Sequence, residues 1–480
     1  MPPAKMIAEV NALVAMVPLL NAFSLFYTNI ISVDFDAKHK HNSKKIAMEL
    51  LAPAGGMEQF MAAINFGADA VYVGLGKFSM RAKAANFNFE ELESAVKIAH
   101  EAGVSVHVTM NVQMRQGDAP TFAEYFEKIE AAGAEAVIVG DVGAMMLAKK
   151  HAPNVALHIS TQAAVANSES AKAFYEMGAA RVVLAREMTV SDIAELREKV
   201  PFDLEIEVFA HGAQCMAESG RCLISAYLCD GRSANAGACT QPCRWGYHLV
   251  EEKRPNMEFD IEEAGGLTYV FNAQDLCMIE RLRELEEAGV NSIKIEGRNK
   301  KAFYVATVVN AYRHALDDMN FTNVSEKAPV GDDACIDSLK PKTYNLEPNL
   351  RNSLRRELSS VSHRPFSTGF FFGNPQQSID FDGYTQETLH VADVLSCEKV
   401  RDEFRLQIRC RNKILQGENL EALVPKKGVR HVLLRDFYWN GTPQEEVNRP
   451  GEVYTVTSSA EVPPNSFLRK RETRVTSRMR

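Results

Sequence analysis

The chain alternates between short β-branched segments and longer segments of helical period, and this alternation constrains its fold more than any other feature. Most of the short segments are followed by a stretch with a polar start and an apolar stripe, the pattern of strands joined by helices. Eight strands are predicted, at Glu49–Ala52, Ala70–Gly74, Val104–Met110, Ala136–Gly140, Val155–Ile159, Arg181–Ala185, Leu204–Ala210 and Ser292–Glu296. Strands that alternate with helices in this way form parallel sheets.

Two architectures use such an alternation, the closed (β/α)8 barrel and the doubly wound open sheet. Eight strands over about 250 residues match the barrel. An open sheet that binds dinucleotides would carry a G-x-G-x-x-G turn after its first strand, and the sequence has none there. We therefore predict an α/β fold with a TIM-like (β/α)8 barrel over residues 48–318. A cysteine-rich insertion at residues 211–277 separates its last two strands.

The flanking segments differ from the barrel in pattern. Residues 1–47 include an uncharged run, but Asn and Pro residues interrupt it, so we favour an extension outside the fold over a membrane anchor. Residues 319–389 are rich in Pro and Asp and predict a linker and cover segment. Residues 390–468 carry short strand-like segments typical of a small antiparallel β-barrel, and the basic residues 469–480 predict a tail.

The composition excludes several classes of protein. A net charge of −8 argues against a chain that binds nucleic acid through overall positive charge. The nine cysteines are an odd number in a chain long enough to bury its own core, so disulfides are not predicted. We expect a reducing compartment, the cytoplasm, and no association with a membrane.

Polar residues follow the predicted strands at the end where barrel enzymes hold their substrates. The candidates are Asn111, Asp141, Ser160, Thr161, Gln162, Arg186, Glu187, His211, Lys294, Glu296 and Arg298. Each of them alone would suit an ordinary loop cap. Together they predict a polar site at the mouth of the barrel.

The insertion is rich in cysteine. Five of the nine cysteines fall within 29 residues, and a sixth follows, namely Cys215, Cys222, Cys229, Cys239, Cys243 and then Cys277. Zinc sites usually show two C-x-x-C pairs, and a cysteine nucleophile needs one activated thiol beside a base. Soft thiolate ligands at irregular spacing favour an iron–sulfur cluster, with zinc or metal-free reduced thiols as alternatives.

Several long motifs closely resemble peptidase family U32, the collagenase-like peptidases. These motifs are LLAPAGGMEQFMAAINFGADAVYVG, EIEVFAHGAQCMAESGRCLIS, CTQPCRW, SIKIEGR and RPFSTGFFFG, in that order along the chain. The resemblance runs from Met48 to the C-terminus and has no counterpart for the first 47 residues.

The resemblance implies a function and a ligand set. The chain is most similar to the branch associated with prephenate-dependent hydroxylation of the wobble uridine of tRNA to 5-hydroxyuridine, so tRNA and prephenate are the implied partners. Relatives that hydroxylate ubiquinone precursors hold a 4Fe-4S cluster on four cysteines. Their spacing implies that the ligands here are Cys215, Cys222, Cys239 and Cys277. Cys243 is the rival fourth ligand, since other relatives use a C-x-x-x-C pair.

Charge and position suggest further roles. Prephenate is a dicarboxylate, so its site should offer cationic donors at the barrel mouth. The substrate-binding candidates are, in order, Arg298, Lys294, Arg186 and Arg81. The catalytic candidates are His211, Glu207 and Glu296, and His211 is placed to shuttle a proton or to hydrogen-bond a cluster ligand.

Two alternative functions stay open. A peptidase would need an H-E-x-x-H helix or a G-x-S-x-G elbow, and the sequence contains neither. Glu207 and His211 are four residues apart on one strand, about 13 Å, which is too far to chelate one ion without a bend. The other alternative is a hydroxylase of a small molecule such as a quinone precursor. The relatives that hydroxylate quinone precursors lack a C-terminal barrel, so its presence in this chain favours an RNA substrate.

Overall fold

The computed structural model describes most of the chain after residue 47. The described residues are 48–81, 84–215, 217, 222–229, 232–245, 263–264, 267–268, 273–325, 348–373, 375 and 383–477. The uncharged run near the N-terminus lies outside them. Among the helices that are described, none combines the length and the apolar character needed to cross a membrane.

Eight parallel strands close into a barrel. They are β1 Glu49–Pro53, β2 Ala70–Gly74, β3 Ser105–Met110, β4 Ala136–Val139, β5 Ala156–Ile159, β6 Arg181–Val183, β7 Glu205–Ala213 and β8 Ser292–Ile295. Each strand pairs with the next along the chain, and β8 pairs with both β7 and β1. The closed ring confirms the predicted barrel and excludes the open sheet.

Helices between the strands form the outer layer. They are α1 Met57–Phe66, α2 Phe89–Ala102, α3 Ala119–Ala131, α4 Val142–His151, α5 Ser168–Glu176, α6 Val190–Lys199, α7 Leu282–Glu287 and, after β8, α8 Ala302–Ser325. Local sequence sets several of their ends. Asn88 and Glu91 form a capping box at the start of α2, and Gly103 ends that helix in the left-handed conformation.

The insertion between β7 and β8 begins after Ala213, rather than at residue 211 as the sequence predicts. Strand β7 continues to Ala213, so His211 lies within it rather than after it. A short strand, Asp275–Cys277, runs back antiparallel to the end of β7 and pairs with Phe366–Ser367 on its other side. The insertion also contains a short helix, Ile224–Leu228, the 3-10 turns Ala234–Ala236 and Pro242–Arg244, and the two-residue strands Glu263–Ala264 and Leu267–Thr268.

The predicted linker contains regular structure. Helix α8 extends to Ser325, beyond the expected barrel boundary at residue 318, and helix α9 covers Pro348–Ser359. Pro and Asp composition predicted irregular chain here, but α9 is amphipathic and its Leu354 and Leu358 are buried in the barrel's hydrophobic core.

The C-terminal domain is a closed antiparallel barrel, as predicted. Its six strands are β9 Gly383–Val400, β10 Glu403–Cys410, β11 Asn419–Leu423, β12 Val429–Trp439, β13 Val453–Ser458 and β14 Phe467–Ser477. Pairing of β11 with both β12 and β14 closes the ring. Shorter strands lie at Ile414–Leu415, Thr442–Gln444 and Glu446–Val447.

The basic stretch assigned to a tail is in part a strand of this domain. Strand β14 includes residues 469–477, so the domain extends beyond the predicted end at residue 468. Arg469 is fully buried, and its guanidinium lies 2.6 Å from Glu357 of α9 and 2.9 Å from Glu421 of β11. These carboxylates compensate the charge that made the segment resemble a solvated tail.

Candidate active site at the barrel mouth

Two connected cavities lie at the carboxyl ends of the barrel strands, where barrel enzymes hold their substrates. The inner chamber has a volume of about 50 Å³, and the outer cavity has a volume of about 390 Å³. The two cavities share six of their lining residues, namely Met80, Arg81, Thr161, Gln162, Arg186 and Glu296. The two cavities are therefore parts of one site.

The inner chamber collects most of the predicted rim residues. It is lined by Asn111, Ser160, Thr161, Gln162, Arg186, Lys294, Glu296 and Arg298, together with Tyr72, Met80, Arg81, Thr109, Val183 and Phe209. Asp141 lies outside it, and its Oδ1 accepts a hydrogen bond from the Ala144 N–H at the start of α4. Asp141 is thus an ordinary helix cap. Glu187 and His211 also lie outside the lining of both cavities.

Arg298 lies inside the barrel with 3% of its surface exposed. Its Nη1 donates to Thr109 Oγ1 at 3.3 Å, and no carboxylate oxygen lies within 4 Å of its guanidinium in the part of the chain that the structure describes. Burial lowers the pKa of Arg298 to about 10, so the side chain is still a cation at neutral pH. The inner chamber thus contains a buried positive charge without an ion-pair partner.

Glu296 lies at the junction of the two cavities. Its Oε1 accepts hydrogen bonds from Arg81, at 2.8 Å from Nη2 and 3.2 Å from Nε. Burial would raise the pKa of Glu296, but the charges of Arg81 and Arg186 outweigh it and hold that pKa below its usual value. Arg186 packs on Phe209, with its Cζ 3.8 Å from the ring centroid, and donates to the Ala213 carbonyl oxygen. The junction therefore holds an ionised carboxylate flanked by two arginines.

Lys294 and Glu207 form a buried ion pair beside the inner chamber. Lys294 Nζ lies 2.8 Å from Glu207 Oε1, and Arg181 Nη1 lies 3.0 Å from Glu207 Oε2. Glu207 has no exposed surface and lines neither cavity. Burial would raise the pKa of Glu207, but the two cations hold it below its usual value. Glu207 is therefore placed behind Lys294, where it can fix the ammonium group but cannot touch a ligand.

His211 is packed in an aromatic cluster rather than facing a cavity. It is 2% exposed, and its ring lies against those of Tyr304, Tyr312 and Phe366. Burial lowers the pKa of His211 to about 3, so the imidazole is neutral at physiological pH. This histidine therefore lies outside the lining of both cavities.

The outer cavity collects four cysteines of the insertion. Its lining includes Cys215, Cys222, Cys239 and Cys243, and none of these forms a disulfide. Cys277 is instead placed opposite His211 by the antiparallel pairing of its strand, and burial raises its pKa to about 11. Strand β7 ends at Ala213, two residues before Cys215, whereas Cys277 pairs further back along it, at His211. The structure thus brings Cys243, and not Cys277, to the same cavity as the first three cysteines.

This donor set suits a cluster of iron and sulfide, because four reduced thiols line one cavity. The backbone N–H of Gln241 donates to Cys239 Sγ at 3.3 Å, the kind of hydrogen bond that tunes cluster ligands. Within the described ranges, no three Cys, His, Asp or Glu side chains are close enough to hold one metal ion. The thiols would have to draw together when a cluster binds.

Sequence reasoning missed several lining residues. Tyr72 and Thr109 lie inside predicted strands, and the alternation of side chains along a strand is the signal that could have found them. Tyr384 gives no such signal, because it comes from β9 of the C-terminal domain. It lines the outer cavity, and the Nζ of Lys300, which also lines it, lies 5.0 Å from its ring centroid. The second domain therefore completes the wall of the site.

Comparisons with known proteins agree with this domain division. The model of peptidase family U32 matches residues 55–380, and that of the peptidase family U32 C-terminal domain matches residues 386–469. The chain is 31% identical over 450 residues to tRNA hydroxylation protein P of Escherichia coli (strain K12), covering 85% of this chain and 92% of the relative. It is 31% identical over 426 residues to tRNA hydroxylation protein P1 of Bacillus subtilis (strain 168), covering 88% of this chain and 94% of that relative. A collagenase of Porphyromonas gingivalis (strain ATCC BAA-308 / W83) is 38% identical to this chain over 279 residues, covering 56% of this chain and 65% of the collagenase.

Proposed function

The chain belongs to peptidase family U32, and from that premise we propose that it is an RNA-modifying enzyme. It hydroxylates the wobble uridine of tRNA to 5-hydroxyuridine, with prephenate as co-substrate and a 4Fe-4S cluster as cofactor. Two relatives that match this chain over both domains are named for tRNA hydroxylation, which supports the RNA substrate. The collagenase matches a shorter part of this chain than the two tRNA hydroxylation proteins do.

One observation carries the proposal. Four cysteines and a group of buried cations line two cavities that share six residues, so a redox group and an acidic co-substrate would meet at one place. Peptide hydrolysis does not require four thiols beside a cationic chamber. A hydroxylation that consumes an organic acid uses both.

We propose that Cys215, Cys222, Cys239 and Cys243 hold the cluster, because these four line the outer cavity. Bound there, the cluster supplies one-electron chemistry at the mouth of the barrel. Lys294 and Arg298 of the inner chamber are buried, and burial strengthens the electrostatic contacts that such groups make with a substrate.

The cationic residues of the inner chamber neutralise the acid. They are Arg298, Lys294, Arg186 and Arg81. Glu296 is ionised and faces both cavities, so it is placed to accept a proton from a substrate. We assign supporting roles to Glu207, which holds Lys294, and to His211, which packs beneath the site.

The decisive experiment is nucleoside mass spectrometry of tRNA incubated with the anaerobically purified, full-length protein and prephenate. The proposal expects 5-hydroxyuridine with the wild type, none without prephenate, and none with Cys215→Ser. Cys397→Ser, in the C-terminal domain, is the matched control and should keep activity. Absence of 5-hydroxyuridine from tRNA treated with iron-loaded wild type, together with cleavage of denatured collagen by the same sample, would instead establish a peptidase.

A further inference from the structure

We propose that the inner chamber is a subsite for one carboxylate group, so that an organic acid binds with one carboxylate inside the barrel and the rest of the molecule in the outer cavity. The identity of the acid as prephenate rests on the proposed function. The carboxylate subsite itself rests on the charge, size and donors of the chamber.

The charge of the chamber calls for an anion. Arg81 of the chamber pairs with Glu296, and Lys294 pairs with Glu207. Arg181, the other partner of Glu207, also pairs with Glu49 and Glu205, so the charge of Lys294 is compensated. Arg298 has no carboxylate within 4 Å among the described residues. A buried charge without a partner is costly, and a bound carboxylate removes that cost.

The size of the chamber limits what enters. A volume of about 50 Å³ has room for a few water-sized groups, which fits one carboxylate but not a ring-containing diacid. The outer cavity, at about 390 Å³, lies in the range of small-molecule sites. An acid larger than acetate must therefore extend from the inner chamber toward the cysteines.

Neutral donors complete the subsite. Ser160 Oγ accepts hydrogen bonds from Gln162 N–H at 3.3 Å and from Asn111 Nδ2 at 3.4 Å. A hydroxyl that accepts twice still has its own proton to donate, and Ser160 lines the chamber. An anionic oxygen accepts hydrogen bonds only, so a chamber of guanidinium, ammonium and hydroxyl donors matches its chemistry.

Binding is tested by isothermal titration calorimetry on the full-length protein, with prephenate as the titrant and acetate or acetamide as competitor. Acetate fits the chamber and should compete, whereas acetamide has the same shape without the charge and should not. Arg298→Gln should weaken prephenate binding by at least about thirtyfold, as expected for loss of a desolvated charged contact. Arg405→Gln, which changes an exposed arginine of the C-terminal domain, is the control and should bind like the wild type.

Melting separates a binding role from a structural one. Because Arg298 has no ion-pair partner among the residues that the structure describes, Arg298→Gln should melt at or above the wild-type temperature in the absence of ligand. The proposal is overturned if Arg298→Gln binds prephenate as tightly as the wild type. It is equally overturned if acetate does not compete, or if the wild type binds neither acid.

The outcomes also separate this subsite from the proposed function. Prephenate that binds through Arg298 while tRNA is left unmodified would refute the hydroxylase and keep the subsite. Hydroxylation by Arg298→Gln with an unchanged KM for prephenate would refute the subsite and keep the hydroxylase.

Discussion

Arg298 occupies the space that a side chain at Gly74 would need. A Cβ at residue 74, the last residue of β2, would overlap Nη1 of Arg298. A Cβ at Gly55 would overlap the backbone oxygen of the same arginine. Two glycines of the motif that opens the barrel are therefore needed so that one cation can reach the barrel interior.

Gly74→Ala should displace Arg298 and weaken prephenate binding by at least about tenfold, because a misplaced guanidinium loses charged contacts each worth about 1.5–3 kcal/mol. The measurement is calorimetric titration with prephenate. The matched control is Gly76→Ala, two residues further on, where an added Cβ meets no atom within 4 Å. Equal affinities of the two variants would show that the position of Arg298 does not govern binding.

Single replacements of cysteine by serine should either abolish the cluster or leave it intact, depending on whether the cysteine lines the outer cavity. The measurement is the content of iron and acid-labile sulfide after anaerobic purification. Serine in place of Cys215, Cys222, Cys239 or Cys243 should abolish the cluster, because these thiols line the outer cavity. Cys229→Ser and Cys277→Ser should retain it, since neither residue lines that cavity. A cluster lost with Cys277→Ser and kept with Cys243→Ser would reverse our assignment of the fourth ligand. Stoichiometric zinc in the wild type would refute the cluster itself.

Glu207→Gln should lower the free energy of unfolding by about 3–5 kcal/mol, because it removes the carboxylate that pairs with the buried Lys294, whereas Arg181 keeps Glu49 and Glu205. Urea unfolding measures this loss, and replacing Lys294 by Met in the same protein should restore part of it. Glu195→Gln, which breaks an exposed pair with Lys199, should change stability by less than about 1 kcal/mol. A Glu207→Gln protein that is as stable as the wild type but inactive would point to direct catalysis by Glu207.

Stability should fall as the pH drops below about 6.5, because buried histidines stay neutral in the folded barrel. His107 and His158 lie with their ring centroids 4.9 Å apart inside it, and burial lowers the pKa of His107 to about 4 and that of His158 well below its usual value. The unfolded chain binds these protons near pH 6.5 and the folded chain does not. The expected loss is about 1.4 kcal/mol per pH unit for each histidine.

Urea unfolding between pH 7.5 and pH 5 measures that slope. The double variant His107→Gln/His158→Gln should reduce it to the part that other buried histidines such as His211 contribute, whereas His431→Gln, at an exposed position of β12, should leave it unchanged. An unaltered slope in the double variant would mean that other groups control the acid sensitivity.

A protein that starts at Met48 should fold and bind prephenate like the full chain. Strand β1 begins at Glu49, so all eight strands that close the barrel lie after residue 48. Circular dichroism, melting temperature and calorimetric titration compare the two proteins. Insolubility of the shorter protein would show that residues 1–47 belong to the fold.

The barrel and its rim could be predicted from the sequence because the signals are local. The alternation of apolar side chains marks strands and helices within a few residues, and all eight strands lie close to their predicted positions. Since parallel barrel strands point the same way, residues such as Ser160, Lys294 and Arg298 at their carboxyl ends had to share one rim.

Which of these residues meet was decided by tertiary packing. Spacing along the chain placed Cys277 among the implied ligands, but antiparallel pairing of its strand with β7 returns it to the level of His211 and leaves Cys243 at the cavity. Tyr384 reaches the same cavity from a separate domain.

Local periodicity was enough to predict the succession of strands and the end of the barrel that carries polar groups, because each pattern spans only a few residues. The charge balance, by contrast, depends on contacts between distant segments. Glu207 and Lys294 are 87 residues apart and meet inside the barrel, whereas Arg298 pairs with no carboxylate in the described part of the chain. Arg469 is buried in a segment as basic as a tail because Glu357, 112 residues away, folds against it. Partners so far apart in the chain leave no periodic signal, since their contact depends on how whole elements pack.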